Sequence, residues 1–169
     1  MLVALSLRLL KDTNRRIFLY DTFAGMVEPE KRDSQILDGK PAFNEFKSNL
    51  REDHNEWNYA SIEEVKTNTV STGYDPEKII LVKGRVEDTI PKTVPSRISL
   101  LRLDTDFYSS TKWELIHLYP LVSLGGVVLI DDYGHWAGCK EAVDEYIEQN
   151  NVRILLNRTD YTGRIGVKC

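Results

Sequence analysis

Four aspartates stand directly after two apolar runs: Asp104 and Asp106 follow Ile98 to Leu103, and Asp131 and Asp132 follow Val127 to Ile130. Residues 104 and 131 are 27 apart, with one helical segment and the Gly125-Gly126 pair between them. That is the length of one βαβ unit, which returns the chain to a parallel strand and brings both pairs to the same rim of a sheet. Carboxylates gathered there repel one another and raise one another's pKa unless a cation joins them. A hard divalent ion with oxygen ligands, Mg²⁺ above all, is the natural counter-charge. Each residue also has a plainer reading: an aspartate after a strand often only caps the next helix, and Asp106 or Asp132 could serve that way. An Asp-x-Asp after a strand also suits a glycosyltransferase that holds Mn²⁺ or Mg²⁺ against a nucleotide diphosphate. The Gly-Gly-strand-Asp-Asp unit that follows does not belong to that pattern.

The other chemically capable side chains give weaker signals. His54, His117 and His135 show no metal-ligand spacing; His117 reads as structural, while His135 could reach the cleft of Asp132. Cys139 opens a helix, a position that could lower a thiol pKa. It has no evident base and reads as a packing residue. Trp57 and Trp136 fall in loop-like positions suited to walling a pocket, and Trp113 reads as core.

The elements that must position these groups follow from hydrophobic patterning. Short apolar runs at 17–20, 79–82, 98–103, 127–130, 152–156 and 164–168 predict six strands, the second to fourth apolar enough for parallel strands covered on both faces. Helices are predicted at Leu2 to Leu10 (buried), from the Ser61 capping box to about Thr72, from a Ser109 or Ser110 cap to Pro120, and over Gly138 to Glu148. Residues 28–58 read as an insertion with a short helix near Phe43 to Leu50. The alternation predicts an α/β, Rossmann-like doubly wound, mostly parallel sheet in a single domain spanning 1–169. Ligands then sit beyond the carboxyl ends of the strands, where Tyr20-Asp21-Thr22, Lys83-Gly84-Arg85-Val86, Asp104 and Asp131 all fall.

Composition narrows the partners. The 169 residues carry 22 basic and 26 acidic side chains, a net charge of −4, with no basic patch, so nucleic acid is not expected. A hydrophobic fraction of 41% is enough for a core and excludes wholesale disorder. Two cysteines are too few for a disulfide scaffold and suit a cytoplasmic, reducing setting. No stretch predicts a membrane span, and the apolar opening lacks the basic flank and cleavage site of a signal peptide.

The segments Leu101 to Thr111 (LRLDTDFYSST), Leu118 to Pro120, Gly125 to Tyr133 (GGVVLIDDY) and Cys139 to Asp144 closely resemble the macrocin O-methyltransferase family, S-adenosylmethionine- and Mg²⁺-dependent enzymes that methylate sugar hydroxyls. Tyr20 to Gly25 and Gly84 to Pro91 are similar to two further motifs of that family, so the resemblance covers most of the chain. It implies that Asp21 accepts hydrogen bonds from the cofactor ribose, with Thr22 beside it. Gly84, Arg85 and Val86 would lie along the adenine, with Glu87 or Asp88 near its amino group. Asp104, Asp131 and Asp132 match the metal ligands, and Asp104 also matches the general base. The implied partner is a small-molecule sugar or glycoside; a homo-oligomer stays open. The family's opening strand and Gly-rich turn, which hold the methionine part of the cofactor, have no counterpart in this sequence. The expectation is therefore an N-terminally truncated domain, with open strand edges where a central strand belongs and weak binding of S-adenosylmethionine. An inactive Rossmann-like fragment is the third reading.

Overall fold

The computed structural model describes residues 1–169 and orders them as α1 (Leu2–Leu9), β1 (Ile17–Asp21), α2 (Ala42–Ser48), α3 (Ile62–Ser71), β2 (Ile79–Lys83), α4 (Val86–Thr89), β3 (Ile98–Leu103), α5 (Tyr108–Leu118), β4 (Val122–Ile130), α6 (Ala137–Gln149), β5 (Asn157–Arg158) and β6 (Arg164–Val167). Two compact units divide the chain: residues 1–27 with 49–85, and residues 28–48 with 86–169. The segment 28–58, which reads as one insertion in the sequence, is thus shared between them.

In the first unit β1 and β2 pair in parallel, with Ile17 opposite Ile79 and Asp21 opposite Lys83. Helix α3 starts where the capping box predicts, the Ser61 hydroxyl accepting from the Glu64 amide at 3.2 Å. The Arg8 guanidinium reaches the Thr72 carbonyl, and the Tyr74 hydroxyl donates to the Arg15 carbonyl at 2.7 Å. These bonds tie the ends of α1 and α3 to the loop that enters β1. Gly25 has a φ of +78°, and a side chain there would run into the Asn55 carbonyl. Only glycine fits that turn. The expectation of a buried α1 is not met: Ala4 is buried, but Leu2, Leu9 and Leu10 are 78%, 85% and 76% exposed.

The second unit holds a four-stranded sheet in the order β3-β4-β6-β5, with β3 and β4 parallel and the rest antiparallel. Its core joins Leu101, Leu103, Val128 and Ile130 of the strands to Leu115 and Leu118 of α5 and to Val143 and Tyr146 of α6. β1 pairs only with β2 and β3 only with β4, so each keeps one edge without a strand partner. β3 is accordingly covered on one face, not two: Leu101 and Leu103 are buried, while Leu100 and Arg102 between and beside them are exposed. The predicted strand 152–156 is not paired in either sheet. Val152, Ile154 and Leu156 instead line a small apolar cavity with Val128 and Ile130 of β4 and residues of α5 and α6, and pairing starts at Asn157. No helix is long and apolar enough to cross a membrane.

Candidate metal and cofactor sites

β3 and β4 run in register up to Leu103 and Ile130, so Asp104 and Asp131 emerge side by side from neighbouring parallel strands. The Asp131 amide donates to the Leu103 carbonyl at 3.0 Å, which extends the ladder one residue and fixes that rim. Beyond β3 the chain turns sharply. The Phe107 amide bonds back to the Thr105 carbonyl at 2.7 Å, and Asp106 between them takes a left-handed φ of 64°. Aspartate tolerates that region at a modest cost, and such strain is found most often where a side chain has a task.

Carboxylate oxygens of Asp104, Asp106 and Asp132 lie within 4.8 Å of one another. Asp131 faces the Arg102 guanidinium, which spans Asp131 at 3.1 Å and Asp104 at 2.6 Å. The structure therefore brings the three aspartates that the resemblance marks as metal ligands to one rim, but the set that converges is Asp104, Asp106 and Asp132, while Asp131 is engaged by Arg102. With all four carboxylates ionised and Arg102 charged, the rim carries −3. Burial is the leading cause of the pKa shifts there. It pushes Asp104 up to about 7, helped by a hydrogen bond with Asp131 and opposed by Arg102. It pushes Asp106 up to about 9, helped by the neighbouring Asp132, against a hydrogen bond from Trp136. Asp132 is raised as well, chiefly by burial, and its Oδ2 is buried with no hydrogen-bond partner. A buried carboxylate oxygen without a donor is costly, and a hard cation is the partner that satisfies it.

The candidate cofactor residues are placed as follows. Asp21, Thr22, Gly84 and Arg85 follow the adjacent parallel strands of the first unit at their carboxyl ends, with the Gly84 amide donating to the Asp21 carbonyl at 2.9 Å. Asp21 is exposed and its Oδ1 accepts from the Phe23 amide at 2.6 Å. The Thr22 hydroxyl donates to the Gly25 carbonyl at 2.7 Å. Val86 is buried in the second unit, where it opens α4; Glu87 and Asp88 follow in its first turn.

The remaining candidates resolve by packing. His117 binds the Trp113 carbonyl one turn back at 2.8 Å. Cys139 is buried and its thiol pushed up, a packing residue. Trp136 is buried edge-on against Phe107 at 5.7 Å. His135 sits beside it, its Nδ1 3.2 Å from the Tyr161 hydroxyl. Three residues that shape the rim carry no motif of their own. Arg102 is the one charge in an otherwise uncharged strand, ISLLRL, and that alone could have flagged it. Glu114 falls at core-facing spacing with Thr111, Leu115 and Leu118 on α5. The tie of Asp33 to α5 gave no local signal, because the Tyr108 amide it accepts from at 2.9 Å lies 75 residues on. Through Asp33, and through bonds from Ile36 to the His135 carbonyl and from Ala137 to the Ser34 carbonyl, the loop 28–41 is laid against the segment that follows Asp132.

A family model described as Macrocin-O-methyltransferase (TylF) matches residues 1–165. Among curated proteins, the 8-demethyl-8-(2,3-dimethoxy-alpha-L-rhamnosyl)-tetracenomycin-C 4'-O-methyltransferase of Streptomyces olivaceus is 33% identical over 152 residues, 90% of this chain and 54% of its own length. The demethyldecarbamoylnovobiocin O-methyltransferase of Streptomyces niveus is 35% identical over 133 residues, 79% of this chain and 47% of its own. The chain thus spans about half the length of these relatives. Among solved structures, the O-methyltransferase NovP matches 96% of this chain and 63% of its own with a TM-score of 0.78 and 31% identity. The calicheamicin methyltransferase CalS11 matches with a TM-score of 0.64 at 18% identity over 96% of this chain and 65% of its own, a likeness of fold. The architecture is the Rossmann-like one of class I methyltransferases.

Proposed function

The chain belongs to the macrocin-O-methyltransferase family, and from that premise we propose that it serves an S-adenosylmethionine- and Mg²⁺-dependent transfer of a methyl group to a hydroxyl of a small-molecule glycoside. The observation that carries the reading is the rim of converging carboxylates with the partnerless Asp132 Oδ2 among them. The donor set is all oxygen and anionic, as Mg²⁺ requires, and Mg²⁺ keeps waters for its other positions. Asp104 and Asp132 would hold the ion with Asp106, whose carboxylate converges with theirs, and Asp131, which the resemblance assigns to the same ion, would have to leave Arg102 to join them. When bound, Mg²⁺ lowers the pKa of a coordinated hydroxyl and orients it for attack on the sulfonium methyl. Asp104, which the resemblance matches to the general base, would take the hydroxyl proton. The Arg102 guanidinium keeps Asp104 and Asp131 from repelling one another while the site is open. Asp21 and Thr22, with Gly84 to Val86, are the groups that would receive the ribose and adenine of the cofactor. One relative is named for a rhamnosyl-bearing tetracenomycin, which supports a glycoside acceptor.

Calorimetric titration with Mg²⁺ tests the site. The chain should show one saturable binding event that Asp132→Ala and Asp131→Ala abolish; undiminished affinity in both variants would remove the metal centre. Thermal-shift measurements with S-adenosylhomocysteine and with nucleotide sugars, each with Mg²⁺, test the transferred group. Stabilisation by nucleotide sugars alone would point to glycosyl transfer instead.

A further inference from the structure

Glu114 has no part in the roles assigned above, and its position calls for one. It lies on the core-facing side of α5 with Thr111, Leu115 and Leu118, and only 5% of its surface is accessible. A carboxyl in such a place is expensive and persists only where it is bonded. Its Oε2 accepts from the Thr105 hydroxyl at 2.9 Å. Thr105 is the middle residue of Asp104-Thr105-Asp106, so that turn is fastened to α5 through its middle side chain. The same helix holds the turn a second time, through the Ser110 hydroxyl on the Thr105 carbonyl at 3.1 Å. Directly after the residue held at these two points, Asp106 adopts its left-handed conformation, which a free loop would tend to relax.

We propose that Glu114 is a positioning residue for the carboxylate rim: by holding the Thr105 hydroxyl it fixes the turn that sets Asp104 and Asp106 against Asp132. The inference rests on the reading of that rim as a Mg²⁺ site. It makes α5 a rigid support for the site, in the way that groups bonded to metal ligands orient them elsewhere.

The test is Mg²⁺ titration of the whole chain by calorimetry, with the melting temperature recorded for each variant. Glu114→Gln keeps an oxygen acceptor of the same shape and should bind within about twofold of the parent. Glu114→Leu and Thr105→Val remove the acceptor and the donor, and each should weaken Mg²⁺ binding by about tenfold or more. Because they break the same bond, the double variant should bind no worse than the weaker single one. A merely structural role would lower melting temperatures while leaving the affinity of folded protein unchanged; that result, or additive losses in the double variant, would overturn the inference. Should Glu114→Leu fail to fold, Thr105→Val and Glu114→Gln decide the matter alone. A parent chain that takes up no Mg²⁺ would overturn the metal reading and this inference with it, whereas a binding parent with indifferent variants overturns only the role of Glu114.

Discussion

Asp104 and Asp106 are held as acids well above the ordinary carboxylate range, at about 7 and about 9, and Glu114 at about 8, in each case chiefly because folding strips away water. The consequence for stability has a definite sign. Between the ordinary carboxylate pKa and these raised values the folded chain keeps protons that the unfolded chain has released, so stability falls as pH rises. The metal-free chain should therefore lose melting temperature steadily from about pH 5 to about pH 9. Metal binding runs the opposite way, because ligating carboxylates must shed their protons first. Mg²⁺ affinity should climb across about pH 6 to 9, with proton release visible as a dependence of the calorimetric enthalpy on the buffer. Affinity flat across that range would contradict protonated carboxylates at the rim. Sequence made Asp104, Asp131 and Asp132 legible because strand ends and βαβ spacing are one-dimensional facts. The inclusion of Asp106 in the cluster, and the pairing of Asp131 with Arg102, depend on a left-handed turn and on side-chain reach, which spacing does not encode.

At the scale of elements, helix starts separate what is local from what is not. Ser61 caps α3 three residues from the Glu64 amide that donates to it, and the capping box announced it. The start of α5 seemed equally local, with Ser109 and Ser110 at hand, yet neither caps it. The helix begins at Tyr108 without a cap from its own N-cap residue, and the Tyr108 amide is satisfied by Asp33. The two oxygens of that fully buried carboxylate accept from Tyr108 at 2.9 Å and from Glu30 at 2.7 Å. Gly138 packs so closely over Asp33 that a side chain at 138 would collide with it. Replacing Asp33 by alanine strands two backbone donors and should cost about 2–3 kcal/mol in urea unfolding. Asparagine, which keeps one acceptor oxygen, should cost roughly half of that. A loss under about 0.5 kcal/mol for Asp33→Ala would show that the loop 28–41 is held by its other bonds. The strand expected at 152–156 went astray for a related reason. Its alternation of Val152, Ile154 and Leu156 marks one apolar face, and a paired strand and an unpaired segment lining an apolar cavity both satisfy that pattern.

For the molecule as a whole, the arrangement of strands leaves apolar surface in view. The fold class was legible because parallel strands and crossover helices alternate along the chain, but which faces would be covered was not. Periodicity shows that a face is apolar without showing what lies against it. Helix α1 is the clearest instance. Its sequence, LVALSLRL, predicts burial, yet of its residues only Ala4 is buried, with Val3 and Leu5 42% and 40% exposed beside the still more open Leu2, Leu9 and Leu10. Apolar area of that kind on a helix promotes association, since each covered leucine is worth about 1.5–3 kcal/mol. The chain should accordingly show concentration-dependent self-association in sedimentation velocity. Leu2→Lys combined with Leu9→Lys should suppress it and leave the melting temperature within about 2 °C of the parent, because neither side chain contributes to the core. A large fall in melting temperature would instead mean that α1 is covered in solution and that these leucines support the fold.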